Sequence, residues 1–129
     1  MKFKLLGVLF LLCVSCSDDD RVIDDLALEG DWILSNVICY CSFKEDVDFS
    51  LTTINFDSSR AMVTVSNESE YIFFRENGAH FYGGQANRIN FSDGAVYFFE
   101  TRGEQLTLTF EDNPDIADDE VTYVFTRED

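Results

Sequence analysis

Apolar and polar positions alternate with a period of two along much of this chain. Leu106, Leu108 and Phe110 stand against Thr107 and Thr109, and Val121, Tyr123 and Phe125 repeat the pattern near the end. Such alternation turns one face of a strand toward a core and the other toward water. Apolar runs predict strands over 32–43, 49–56, 61–66, 71–75, 80–82, 88–91, 95–101, 105–110 and 121–127. No stretch of about eleven or more residues carries helical periodicity. The segment "DDLALEG" (24–30) has an Asp start and a Gly stop, and allows one helical turn at best.

Turn chemistry separates the runs. Asn77-Gly78 and Asp93-Gly94 are pairs that favour tight hairpins, and Arg102-Gly103 is a third hairpin candidate. Gly83-Gly84 reads as a loop, and it is no phosphate cradle because no helix follows. Eight or nine short antiparallel strands, spaced at about 8–12 residues, predict an all-β domain closed as a barrel or stacked as a sandwich.

The first residues break this pattern. Lys2 and Lys4 precede an apolar run, Leu5 to Val14, which is too short for the roughly 20 residues that span a bilayer. Its proportions are those of a secretory leader. The leader ends in Cys13-Val14-Ser15-Cys16, and Ser17-Asp18-Asp19-Asp20 follow. Three adjacent carboxylates read as a solvated tether. Residues 1–15 are therefore expected to be a cleaved leader, 16–27 an anchor and tether, and 28–129 the folded domain.

Composition fits a packed globule: 46% of residues are hydrophobic and 15% aromatic, with one proline and seven glycines. Net charge is −16, and two of the nine bases lie in the leader. A field of that sign repels phosphate backbones and excludes nucleic acid as a partner.

Candidate chemistry is sparse. With one His, no Gly-x-Ser-x-Gly and no His-Glu-x-x-His, neither a nucleophile–base pair nor a zinc triad is visible, and no enzyme is expected. No cofactor is expected either. Cys39 and Cys41 flank Tyr40 on a predicted strand, with Cα atoms near the upper limit for a disulfide. Three readings stand: two reduced thiols, a disulfide that needs a bulge or bend, or a soft-metal pair completed by His80. The run Glu111 to Glu120 also carries Asp112, Asp115, Asp118 and Asp119, hard oxygens that suit Ca²⁺. It lacks the glycine of an EF-hand loop, and a solvated acidic loop is the plainer reading.

Two resemblances sharpen the picture. Val14-Ser15-Cys16 resembles the end of a bacterial lipoprotein signal, which implies lipidation of Cys16 and an outer-membrane lipid anchor. Ser17, Asp18, Asp19 and Asp20 look like the export tag of surface-exposed lipoproteins in Bacteroidetes-type bacteria; a periplasm-facing anchor is the alternative. Gly30-Asp31-Trp32, after Leu28, is similar to the Gly-x-Trp opening of lipocalin-like domains. That likeness implies an eight-stranded up-and-down barrel, closed at one end by Trp32 with Arg127 packed over it. The function implied is non-enzymatic binding of a small apolar ligand at the open end. The alternatives are a filled barrel serving a surface complex through its loops, or a Ca²⁺-dependent binding module.

Overall fold

The computed structural model describes residues 25–111 and 121–128. Cys16, the Ser17–Asp20 tag and the acids Asp112, Asp115, Asp118, Asp119 and Glu120 lie outside the described residues. A single 3-10 turn, Leu26–Leu28, precedes eight strands: β1 Gly30–Ile38, β2 Thr52–Asp57, β3 Met62–Asn67, β4 Gly78–Gln85, β5 Arg88–Phe91, β6 Val96–Arg102, β7 Gln105–Phe110 and β8 Thr122–Arg127. Each pairs antiparallel with the next, and β8 returns to β1, so the sheet closes as an up-and-down barrel. Closure removes the exposed edges that so aromatic a chain would otherwise present.

Inward positions follow the alternation. Ile54 and Phe56, Val63 and Val65, Ile89 and Phe91, Tyr97 and Phe99, and Leu106 and Leu108 are buried on β2, β3, β5, β6 and β7, and Tyr82 on β4. Cross-strand partners mesh directly: Trp32 faces Ile54, Phe56 faces Val63, and Leu106 faces Phe125. Contacts of this kind are the unit of sheet stability. In β1 the register slips between Leu34 and Asn36. Trp32 and Leu34 point inward before the slip, and Val37 packs against the core after it. A bulge changes which face each later side chain takes.

Several expectations need correction. The first strand stops at Ile38 instead of running to residue 43, because the chain bends at Cys39 and Tyr40. Residues 49–51 form a 3-10 turn, not the start of β2. Gly83 and Gly84 are no loop; they pair within β4 against Asn90 and Ile89. Most consequentially, 71–75 is not a strand. Asn67 ends β3, and its N–H donates to Asn77 Oδ1 at 2.5 Å while Asn77 Nδ2 donates back to the Asn67 carbonyl at 3.2 Å. That reciprocal pair ties the ends of 68–76 together as a compact loop. Asn77-Gly78 consequently opens β4 and is not a hairpin turn. The Asp93-Gly94 and Arg102-Gly103 turns do join β5 to β6 and β6 to β7.

Candidate functional site

The barrel has two different ends. At one, the 3-10 turn covers the opening. Trp32 Nε1 donates to the Leu28 carbonyl at 2.8 Å, and both residues are fully buried. The Arg127 guanidinium lies 4.1 Å from the Trp32 ring centre, in cation–π range. Its Nη1 and Nη2 donate to the carbonyls of Glu29 and Ala27 at 2.9 and 3.2 Å. Gly30 has φ +114°, and a Cβ there would stand 3.1 Å from Arg127 Nη1. Glycine is thus required both by the backbone and by the arginine. Tyr82 Oη donates to the buried Asp25 carboxylate at 2.7 Å, pinning the point where the chain enters the barrel.

The opposite end, the mouth, is bounded among the described residues by residues 39–51, the 68–77 loop and the Asp93-Gly94 turn. Two of these segments are knitted by rings. Phe43 on the first packs edge-on against Tyr71 and Phe73 of the second at 5.1 and 5.5 Å, and Phe49 joins them. The Lys44 N–H donates to Tyr71 Oη at 3.0 Å, and Lys44 Nζ pairs with Glu70 at 3.1 Å.

Phe74 drops from this cluster into the barrel. It is 7% exposed, and its ring centre lies 5.0 Å from Tyr97, 5.8 Å from Phe91 and 6.1 Å from Tyr123. The backbone that inserts it is unusual. Phe74 has φ +71°, and the Arg75 N–H donates to the Phe73 carbonyl at 2.8 Å. This is the rarer, strained form of γ-turn. Tyr97 Oη holds the Phe74 carbonyl at 3.3 Å, and Tyr123 also bonds the Phe74 backbone. Burial, followed by the neighbouring Tyr123, pushes the Tyr97 hydroxyl well above its ordinary range, and burial raises Tyr123 as well. Both therefore stay protonated at physiological pH, Tyr97 donating to the Phe74 carbonyl.

Arg75 follows the plug. Its Nη2 meets Asp93 Oδ2 at 2.5 Å, and its guanidinium sits 4.0 Å from the Phe91 ring centre. The side chain is only 14% exposed, and its buried Nε has no hydrogen-bond partner. The Ala95 N–H and then Arg75 hold Asp93 below the usual carboxylate range. Grooves outside the barrel include one of about 470 Å³ between β1 and residues 47–50.

Of the residues singled out from sequence, Gly30, Trp32 and Arg127 lie together at the sealed end. Cys39 and Cys41 form a disulfide across Tyr40, with Cα atoms 5.2 Å apart, where the strand has bent. Tyr40 is 91% exposed at the rim of the mouth. His80 is not brought to these sulfurs: its Nε2 bonds the Glu76 carbonyl at 2.7 Å, and no three metal-ligating side chains gather among the described residues. Sequence reasoning missed Phe74, Arg75, Tyr97 and Tyr123 as a group. Their one trace was a doubled Phe next to an Arg inside a segment otherwise shaped like a strand.

These features define a class: a closed, up-and-down, eight-stranded β-barrel with one end sealed and the other stoppered by a loop. The chain matches no protein-family model and no curated protein.

Proposed function

We propose that this protein is a non-enzymatic, lipid-anchored barrel that takes a small apolar ligand into the mouth half of its interior. One observation carries the reading. The sealed half is filled by side chains of the wall and by Leu28 of the covering turn, whereas the space among Phe91, Tyr97 and Tyr123 is filled by Phe74 from a loop at positive φ. Without that ring, the wall leaves an aromatic hollow of the kind small apolar ligands fill. Burying a Phe is worth about 1.5–3 kcal/mol, while a strained backbone of this kind costs about 1–3 kcal/mol. The stopper's net hold, after its polar contacts, is a few kcal/mol. Displacing it weakens a ligand's apparent affinity about tenfold for each 1.4 kcal/mol of that hold.

The anchor on Cys16 belongs to the same reading. The chain enters the barrel at Asp25 on the sealed end, and the roughly nine residues from Cys16 reach at most about 30 Å. A lipid there holds the sealed end toward the membrane and presents the mouth to the aqueous side. Two or more acyl chains give stable anchoring.

A second reading, a filled barrel working only through its loops, draws on the burial of every core residue and on the capacity of small barrels to fill themselves. Native mass spectrometry of the protein released from its own membranes separates the two. A co-purified small molecule is the expected result, and a bare chain in repeated preparations supports the filled barrel. Palmitate labelling checks the anchor: incorporation is lost in Cys16→Ala, and unchanged labelling refutes it.

A further inference from the structure

The stopper has a specific chemistry, and the wall that receives it is matched to that chemistry. Phe74 supplies an apolar ring to Phe91, Tyr97 and Tyr123, and the next residue, Arg75, supplies a cation. That cation lies on the face of Phe91 and against the Asp93 carboxylate, an aromatic-plus-acid setting that attracts positive charge. The host is the β5–β6 hairpin and its turn, with Tyr123 added from β8, whereas both halves of the guest belong to the 68–77 loop.

Arg75 is nevertheless an imperfect guest. Its Nε is buried without a partner, which is a standing penalty for a group that strong. The turn that positions the pair is itself strained at Phe74. A guest lacking an Nε and free of the γ-turn avoids both costs. The electrostatics point the same way. The chain carries −16 overall, and Glu68 and Glu76 lie exposed on the loop around the stopper, where Glu70 is paired with Lys44. Such a surface concentrates cations at the mouth and repels anions.

We infer that Phe74 and Arg75 are a built-in stand-in for an external ligand, and that the mouth is a site for an organic cation with an apolar body. The body takes the place of Phe74. The positive group takes the place of the Arg75 guanidinium on Phe91 and Asp93. This rests on the ligand-binding reading above and gives that ligand a charge.

Three probes of one shape test it: 4-phenylbutylamine, 4-phenylbutanol and 4-phenylbutyrate. The barrel closes on itself within the described residues, so residues 17–129, which contain all of it, serve as the protein. Calorimetry on Phe74→Ala/Arg75→Ala, whose site is emptied, should give at least tenfold tighter binding of the amine than of the alcohol, with the acid weakest. Adding Asp93→Asn should erase the amine's advantage and leave the alcohol unchanged. Equal affinity for amine and alcohol, or a preference that survives Asp93→Asn, overturns the cation site while the apolar-ligand reading stands. Failure of all three to bind the emptied variant overturns both. In the wild-type chain, where the loop competes, the amine should speed hydrogen exchange at the Phe74 and Arg75 amides. Unchanged exchange there at saturating amine counts against the inference even if the double variant does not fold.

Discussion

The two ends of this barrel solve the same problem, how to close an open rim, by opposite means. At the sealed end the closing residues are joined in a ring of satisfied partners. Trp32 donates to Leu28, and Arg127 covers Trp32 while capping two carbonyls. Glycine stands at Gly30, where φ is +114° and a Cβ would crowd Arg127 Nη1 at 3.1 Å. Every polar group in that ring has work to do, and the backbone strain is relieved by Gly30. At the mouth the closing residue is a phenylalanine at positive φ, followed by an arginine with one buried N–H unmet. The first arrangement is built for permanence. The second stores strain and leaves a polar group unsatisfied, which is where function is expected to sit.

The sharpest way to break that comparison is to delete one large ring at each end. Trp32→Ala should cost about 3–5 kcal/mol, the usual range for a fully buried aromatic, and more if Arg127 loses its seat. Urea unfolding measures it directly, with the midpoint falling and the slope held constant. A loss under about 2 kcal/mol would mean that the sealed end is not the stability centre described here.

Phe74→Ala removes a similar ring from a similarly buried place, yet it should cost only about 1–2 kcal/mol. The lost burial is partly offset as the 68–77 loop relaxes from its γ-turn. The same variant should brighten an environment-sensitive apolar dye, because the hollow it leaves is lined by Phe91, Tyr97 and Tyr123. If Phe74→Ala proves as damaging as Trp32→Ala and binds no dye, the stopper is ordinary core, and the two ends do not differ in kind.

How far these ends can be read from sequence also differs, for a physical reason. Strands β5 to β8 were legible because plain alternation and Asp-Gly or Arg-Gly turns agree there. The sealed end was legible only through a resemblance, the Gly-x-Trp opening of lipocalin-like domains, which pointed to Gly30, Trp32 and Arg127; no periodicity or spacing brings the three together. The mouth was not legible. "YIFFR" (71–75) has the apolar content of a strand, and periodicity cannot tell a ring bound for a neighbouring strand from one bound for a stopper. What decides it is Asn67 pairing with Asn77, a contact across ten residues that no local pattern announces. The bulge at Leu34–Asn36 and the bend at Cys39 hid the end of β1 in the same way, since the run stays apolar while its faces exchange.

The alkaline limb of stability offers the finest test when it is read as a difference between variants at the mouth. Tyr97 and Tyr123 both have hydroxyls pushed above the ordinary tyrosine value of 10.0 by burial against the Phe74 loop. Well below pH 10 both residues are protonated, folded or unfolded, and they contribute no pH dependence. As pH rises past 10 the unfolded chain releases these protons while the folded barrel keeps them, so the unfolded state binds fewer protons and stability must fall. The slope is at most about 1.4 kcal/mol per pH unit for each group. Tyr97→Phe removes one titrating hydroxyl and should flatten the loss measured by urea unfolding between pH 10 and 11.5. An emptied mouth should flatten it too, since in Phe74→Ala water reaches both phenols and draws their pKa values back toward 10. A slope that survives in Phe74→Ala would mean that the wall of the barrel, and not the loop, keeps water from Tyr97. In that case the mouth would be sealed from within, like the opposite end.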